Sequence, residues 1–245
     1  MNFSQPRRAE RAPLPPVAVL AGGLATRLRP VTRTLPKSLV PVAGHPFVHH
    51  QLAALRKKGV TRVVLCVGYL GEQIRDYVGD GQAFGLQVAY AWDGDSLRGT
   101  GGALQQALPL LGEAFFVLYG DSYLPIAFAD IWEAFAARPE PGLMTVYKNQ
   151  GRWDTSNVLF SQGRILRYDK KEPTPDMQYI DYGLSLLRPA AFKQFPAGRA
   201  FDLSRVFQVL IAQQALAGWE AQERFYEIGS PQGLRETEEY LRNHL

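Results

Sequence analysis

Leu20-Ala21-Gly22-Gly23-Leu24-Ala25-Thr26-Arg27-Leu28-Arg29-Pro30 follows directly on the apolar run Val17-Ala18-Val19-Leu20-Ala21. A short continuous apolar run that ends in glycines reads as a buried parallel strand opening into a loop. Glycines there let the backbone approach a phosphate or a base with no Cβ in the way. Successive N–H groups in such a loop form an anion-binding concavity. Arg27 adds a permanent cation with several donors, suited to a polyphosphate. No Gly-Lys-Ser/Thr follows, so this is not a Walker loop, and the glycine spacing is not that of the dinucleotide fingerprint. The plainer alternative is an ordinary tight βα turn.

Outward from this loop the chain alternates strand and helix patterns. Residues 46–58 predict a helix stopped by Gly59, 62–67 a strand, 72–77 a short helix and 86–91 a strand. A helix from 101 to 108 and a strand over 115–119, running into Gly120-Asp121, complete the rhythm. That alternation implies an α/β fold with a mostly parallel sheet flanked by helices. After residue 140 the segments 142–149, 155–160, 164–169 and 179–187 are short and β-leaning, which suits hairpins or an added mixed sheet. Helices are expected near 202–217 and 231–243, with a β-like stretch at 224–228 between them. Residues 1–15, with Pro6, Pro13, Pro15 and three arginines, read as a mobile tail. Residues 16–245 read as one domain, divided into halves at 16–140 and 141–245.

Composition narrows the function classes. The 245 residues are 46% hydrophobic and 20% charged, which is ordinary for a globular chain. The formal net charge of +4 suits anionic substrates but is too small to argue for nucleic acid. No apolar run approaches the roughly 18 residues of a membrane span, and no secretory pattern opens the chain. A cytoplasmic protein without nucleic-acid or membrane partners is expected, with a homodimer as the general prior for soluble enzymes. The single cysteine, Cys66, sits in an apolar run and reads as a buried strand residue. His45, His49 and His50 cluster, but no third zinc ligand accompanies the i,i+4 pair, and helix-face packing is the preferred reading. Trp92, Trp132, Trp153 and Trp219 are scattered, as core or interface residues would be.

Two motifs together point further. Past the glycine loop comes Leu35-Pro36-Lys37-Ser38-Leu39-Val40-Pro41-Val42. The pair resembles the signature of the sugar-1-phosphate nucleotidyltransferases, and the resemblance runs from about Val17 onward. It implies a Rossmann-like fold of the nucleotide-diphospho-sugar transferase type, with a small β-rich sugar-acceptor lobe in the second half. It also implies a reaction in which a nucleoside triphosphate and a sugar 1-phosphate give an NDP-sugar and pyrophosphate, with Mg²⁺ as cofactor. In this chain Ala25 stands where the family usually has a second glycine.

By that resemblance, Leu20, Ala21, Gly22, Gly23 and Thr26 bind nucleotide, while Arg27 and Lys37 act on the phosphates. The turn Leu97-Arg98-Gly99-Thr100-Gly101-Gly102-Ala103 approaches base and ribose, with Thr100, Gly101 and Gly102 as contacts. Asp121 ends an apolar strand, where α/β folds bind ligands, and is a hard oxygen donor fit for Mg²⁺. The family's second metal-binding aspartate is replaced by Glu227, in Tyr226-Glu227-Ile228-Gly229-Ser230-Pro231. A branch activating heptose 1-phosphate with GTP shares that Glu-Ile-Gly-Ser, which favours GTP with a heptose or hexose 1-phosphate. The plainer reading of Glu227 is a cap on the following helix. Arg167-Tyr168-Asp169-Lys170-Lys171-Glu172-Pro173 resembles the family's sugar-phosphate segment, and spacing favours Lys171 over Lys170. Asp181 is expected to accept from sugar hydroxyls, and Gly183 to leave room for the ring. Two other readings stay open: a regulatory protein that binds nucleotide without turnover, and an enzyme for a non-sugar phosphate such as phosphocholine.

Overall fold

The computed structural model describes residues 13–23, 28, 31–94 and 96–244. In chain order the first half comprises β1 (Val17–Leu20), β2 (Pro41–Val42), β3 (His45–Pro46), α1 (Phe47–Lys57) and β4 (Arg62–Val67). It continues with α2 (Gly71–Val78), β5 (Gln87–Trp92), α3 (Gly99–Leu111), β6 (Phe115–Tyr119), β7 (Ser122–Tyr123) and α4 (Phe128–Ala136). The second half holds β8 (Gly142–Lys148), β9 (Val158–Ser161), β10 (Arg164–Tyr168), β11 (Tyr179–Leu187) and α5 (Leu203–Ala212). It closes with β12 (Leu216–Ala221), β13 (Tyr226–Glu227) and α6 (Pro231–His244).

Nine strands form one sheet in the order β5-β4-β1-β6-β11-β8-β12-β10-β9. The strands β5, β4, β1 and β6 run parallel. Beyond them β11 is antiparallel to β6 and β8, while β12 returns parallel to β8. The β-rich second half therefore extends the same sheet. β9 also meets β11 at Val158 and Tyr179, so this half curls back on itself.

Both faces are covered, which explains why the central strands are apolar without alternation. Val17, Val19, Val63, Leu65 and Phe116 pack with Leu52 and Leu55 of α1, Ile74 of α2 and Phe128 and Ile131 of α4. The intervening Ala18, Val64, Cys66 and Val117 face α3 and α5, through Leu104, Ala107, Val206 and Phe207. Strand side chains alternate by two, so each strand feeds both cores. Each fully buried Leu or Phe stabilises by about 1.5–3 kcal/mol. Among the described residues no helix is long and apolar enough to cross a membrane.

Two elements differ from expectation. The helix expected over 202–217 stops at Ala212, Gln214 takes a left-handed φ of 55°, and Leu216–Ala221 becomes β12. Pairing with β8 overrides the helical periodicity of that apolar stretch. Helix α4 has no counterpart in the sequence reading, although Phe128, Ile131 and Phe135 fall at i, i+3 and i+7 on its buried face. Of residues 1–15, expected as a mobile tail, 1–12 lie outside the described residues. The histidines pack as rings, His45 and His49 stacked at 4.4 Å, while His50 Nε2 lies 2.7 Å from the carbonyl of Val42. Burial lowers the pKa of His49 and His50. The described residues contain no group of three metal-ligating side chains.

Candidate active site

A cavity of about 240 Å³ opens where β1 and β6 end. Leu20, Ala21, Gly22 and Gly23 form one wall. The loop is held close to its neighbours: Ala21 N–H donates to the Cys66 carbonyl at 2.9 Å and Gly120 N–H to the Leu20 carbonyl at 3.0 Å. A Cβ at Gly22 would lie 3.0 Å from the Gly68 nitrogen, and one at Gly120 only 2.5 Å from the Leu20 oxygen. Glycine is thus required at Gly120 by backbone approach. Thr26 and Arg27 fall outside the described residues.

Lys37 and Asp121 meet at this cavity. Lys37 begins a single 3-10 turn, Lys37–Leu39, after Pro36. The segment before it is tied to α2 and the turn leading into it, where the Gln73 amide donates to the Thr34 carbonyl and the Tyr69 hydroxyl to that of Arg33. Lys37 Nζ then lies 2.5 Å from Asp121 Oδ2, their side chains 16% and 28% exposed. A cation and a carboxylate, 84 residues apart in sequence, form a partly wet pair that an incoming polyanion can reach.

Asp93, at the end of β5, is a second acid in the cavity wall. It is 5% exposed. Arg98 backs it twice, its backbone N–H facing the carboxylate and its Nε donating to the Asp93 carbonyl at 2.7 Å. Burial raises its pKa, against the opposing influence of Arg98. Burial, with Asp93 nearby, pushes the Cys66 thiol up to about 12, which leaves it an inert wall residue.

Thr100 and Gly99 line the cavity, whereas Gly101 and Gly102 do not. Added Cβ atoms there would lie 2.3 Å from the Phe201 ring and 2.7 Å from the Arg199 carbonyl. Those two glycines seat the start of α3 against residues 199–202, and the N–H groups of both donate to the Phe201 carbonyl. Their smallness therefore serves packing against residues 199–202. Thr100 Oγ1 also accepts from Leu203 N–H at 2.8 Å.

The sugar-side residues are arranged differently from expectation. Lys170 Nζ lies 3.7 Å from Asp181 Oδ2 and over the rings of Tyr119 and Tyr168. Lys171 is exposed, and its backbone N–H donates to Asp169. Lys170 thus replaces Lys171 beside Asp181. Asp181, its side chain 3% exposed, accepts from the hydroxyls of Tyr168 at 3.0 Å and Tyr119 at 3.3 Å and from Gly183 N–H at 3.1 Å. Three donors of the protein thus already converge on this carboxylate. Burial and the nearby Asp181 hold both tyrosine hydroxyls well above their ordinary pKa. Gly183, at φ +95°, abuts Ser122, whose Oγ would lie 2.9 Å from a Cβ there, so its smallness serves the approach of these two segments.

Glu227 is linked to the Asp121 turn through the backbone. It pairs with Ser122 in the β7–β13 ladder, and Ile228 N–H donates to the Asp121 carbonyl at 2.9 Å. Its carboxylate turns under α6, accepting from Gly229 N–H and, at 2.8 Å, from Ser230 Oγ. The helix-cap reading describes these contacts of the side chain. The described donor set nonetheless suits magnesium, which takes one or two carboxylates and completes its shell with substrate phosphates and water; Asp121 supplies such a carboxylate at the cavity.

Sequence reasoning missed Asp93, Tyr119 and Gln51. Asp93 carried the signal that revealed Asp121, an acid closing an apolar strand. Gln51 carried a weaker one, a polar residue between Val48 and Leu55 on the buried face of α1.

The model of the nucleotidyl transferase family matches residues 17–195. An N-acetylmuramate alpha-1-phosphate uridylyltransferase of Neisseria meningitidis is 30% identical over 224 residues, 90% of this chain and 95% of the relative. The mannose-1-phosphate guanylyltransferase catalytic subunit beta of Danio rerio is 31% identical over 219 residues, 87% of this chain but 61% of the relative. The solved inositol-1-phosphate CTP transferase of T. maritima shares the fold at a TM-score of 0.77 and 23% identity, covering 95% and 96% of the two chains. The chain belongs to the nucleotidyl transferase family and, within it, to the sugar-1-phosphate nucleotidyltransferases.

Proposed function

We propose that this enzyme condenses GTP with a hexose or heptose 1-phosphate to give a GDP-sugar and pyrophosphate, with Mg²⁺ bound at Asp121. The observation that carries the reading is the Lys37–Asp121 pair at the mouth of a glycine-walled cavity. The sugar phosphate oxygen is already an anionic nucleophile. It forms a bond to the α-phosphorus as the bond from that phosphorus to the bridging oxygen of the leaving pyrophosphate breaks. No general base and no covalent enzyme intermediate are required. The barrier is the approach of two polyanions and the charge on the leaving group, so positioning and screening dominate. Bound magnesium supplies charge neutralisation on the triphosphate. Lys37 bridges phosphates, Lys170 takes the sugar phosphate, and the Leu20–Gly23 wall and Thr100 hold nucleoside and phosphates. Glu227 fixes the start of α6, whose neighbouring ladder holds Asp121.

Guanine is supported by Asp93. A buried carboxylate has lone pairs enough to accept two adjacent donors, which guanine presents at N1 and N2, beside the Arg98 backbone N–H. Uracil and thymine present one donor flanked by two carbonyl oxygens that a carboxylate repels. A second reading, UTP, is favoured by the near full-length match to the Neisseria uridylyltransferase. The test is pyrophosphate release from four triphosphates against hexose and heptose 1-phosphates, repeated with Asp93→Asn. GTP preference that falls in the variant supports the proposal. UTP preference insensitive to Asp93→Asn establishes the second reading, and nucleotide binding without release from any pair overturns both.

A further inference from the structure

We propose that Gln51 is a positioning residue that aims Asp121, an inference resting on the role given above to Asp121. Gln51 lies on the buried face of α1 and is 2% exposed. Its amide nitrogen donates to the carbonyls of Tyr119 at 3.0 Å and Ser122 at 2.9 Å. Those two carbonyls bracket Gly120 and Asp121. One –NH₂ group, with two hydrogens, therefore holds both ends of the turn that carries the acid. The orientation of the amide is fixed by chemistry, since the flipped form would set its oxygen against two carbonyl oxygens. The cost is visible: Oε1 is buried and has no hydrogen-bond partner among the described residues. A buried polar side chain retained at such a cost in an apolar helix face has its use in the donors.

The turn is also pinned from two other sides. Gly120 N–H is tied to Leu20 of β1, and the Asp121 carbonyl to Ile228. Gln51 supplies the third support, from a helix that, among the described residues, makes no other hydrogen bond to the acid's loop. Leucine at this position keeps the apolar face and removes both donors. Glutamate presents an acceptor to two acceptors when ionised and a single donor when protonated.

The experiment compares Gln51→Leu, Gln51→Glu, Asp121→Asn and, as a packing control on the same helix, Leu55→Ala. The readouts are turnover, the Mg²⁺ midpoint and amide hydrogen exchange of the metal-free protein at Gly120 and Ile228. Residues that orient a metal ligand typically change affinity or activity by about 10–100-fold, so Gln51→Leu is expected to raise the Mg²⁺ midpoint about tenfold. It is also expected to speed exchange at Gly120 and Ile228, whereas Leu55→Ala lowers thermal stability without moving the midpoint. Gln51→Glu is expected to recover turnover relative to wild type as pH falls from about 8 to about 6, as its carboxyl becomes a donor. That pH profile carries the test should Gln51→Leu fail to fold. An unchanged midpoint and exchange in Gln51→Leu, or a flat relative pH profile in Gln51→Glu, overturns the proposal while Asp121→Asn still abolishes turnover. Wild-type turnover in Asp121→Asn instead overturns the reading of Asp121 itself.

Discussion

Replacing Lys37 with alanine removes the cation that faces Asp121 at 2.5 Å. Two unit charges about 4 Å apart at an effective dielectric near 20 interact by about 4 kcal/mol. The observed pair is partly exposed, so solvent and the arriving triphosphate share that interaction and its net worth to the free protein is smaller. In the transition state the same ammonium faces charge moving onto the leaving pyrophosphate. Removing one such electrostatic group costs about 10²–10³ in turnover. Lys37→Ala is therefore expected to lower kcat by about a hundredfold or more, with little change in thermal unfolding. Lys37→Arg, which keeps the charge but moves it, should restore part of the loss. The assay is coupled pyrophosphate release under saturating substrates, with melting curves on the same preparations. A kcat within about threefold of wild type, against the hundredfold expected of a transition-state group, refutes the assignment. So does a large stability loss that Asp121→Ala reverses, because the pair would then be structural.

Asp93→Asn removes a carboxylate whose pKa burial raises. Such a group contributes full stability below its unfolded value near 3.8 and loses it as pH rises through the raised folded value. The variant should thus melt higher than wild type at pH 8, and the difference should shrink as pH falls towards 4; a pH-independent difference in scanning calorimetry contradicts this. Lys170→Ala should raise the KM for the sugar 1-phosphate by about tenfold or more, the worth of one hydrogen bond to a charged group, while Lys171→Ala leaves it within about twofold. Steady-state kinetics that reverse this order would restore Lys171. Leu104, fully buried on α3, should cost about 2–5 kcal/mol on replacement by alanine, measured by urea unfolding.

The parallel half of the fold was legible because its strands are buried on both faces and its helices follow with regular glycine stops. Strand β6 falls at 115–119 as predicted, since an apolar run closed by Gly120-Asp121 leaves little freedom in its ends. The stretch 213–221 was not legible: Leu216, Ala217 and Ala221 fit a helix face as well as a strand, and only the neighbouring β8 decides between them. At the site, Lys37 and Asp121 could be singled out by motif and strand end, although their contact spans 84 residues. The choice between Lys170 and Lys171 could not be made from spacing. It depends on which ammonium reaches Asp181 over two tyrosine rings, a tertiary fact. The fate of Glu227 was equally hidden, because its longer side chain reaches the first turn of α6, where Gly229 and Ser230 donate to it.

The decisive measurement is the location of a bound non-hydrolysable GTP analogue in a crystal grown with Mg²⁺. The base edge is expected at Asp93, the phosphates within hydrogen-bonding distance of Lys37 Nζ, and the cation on Asp121. A nucleotide seated elsewhere, or one whose phosphates point away from Lys37 and Asp121, contradicts this placement.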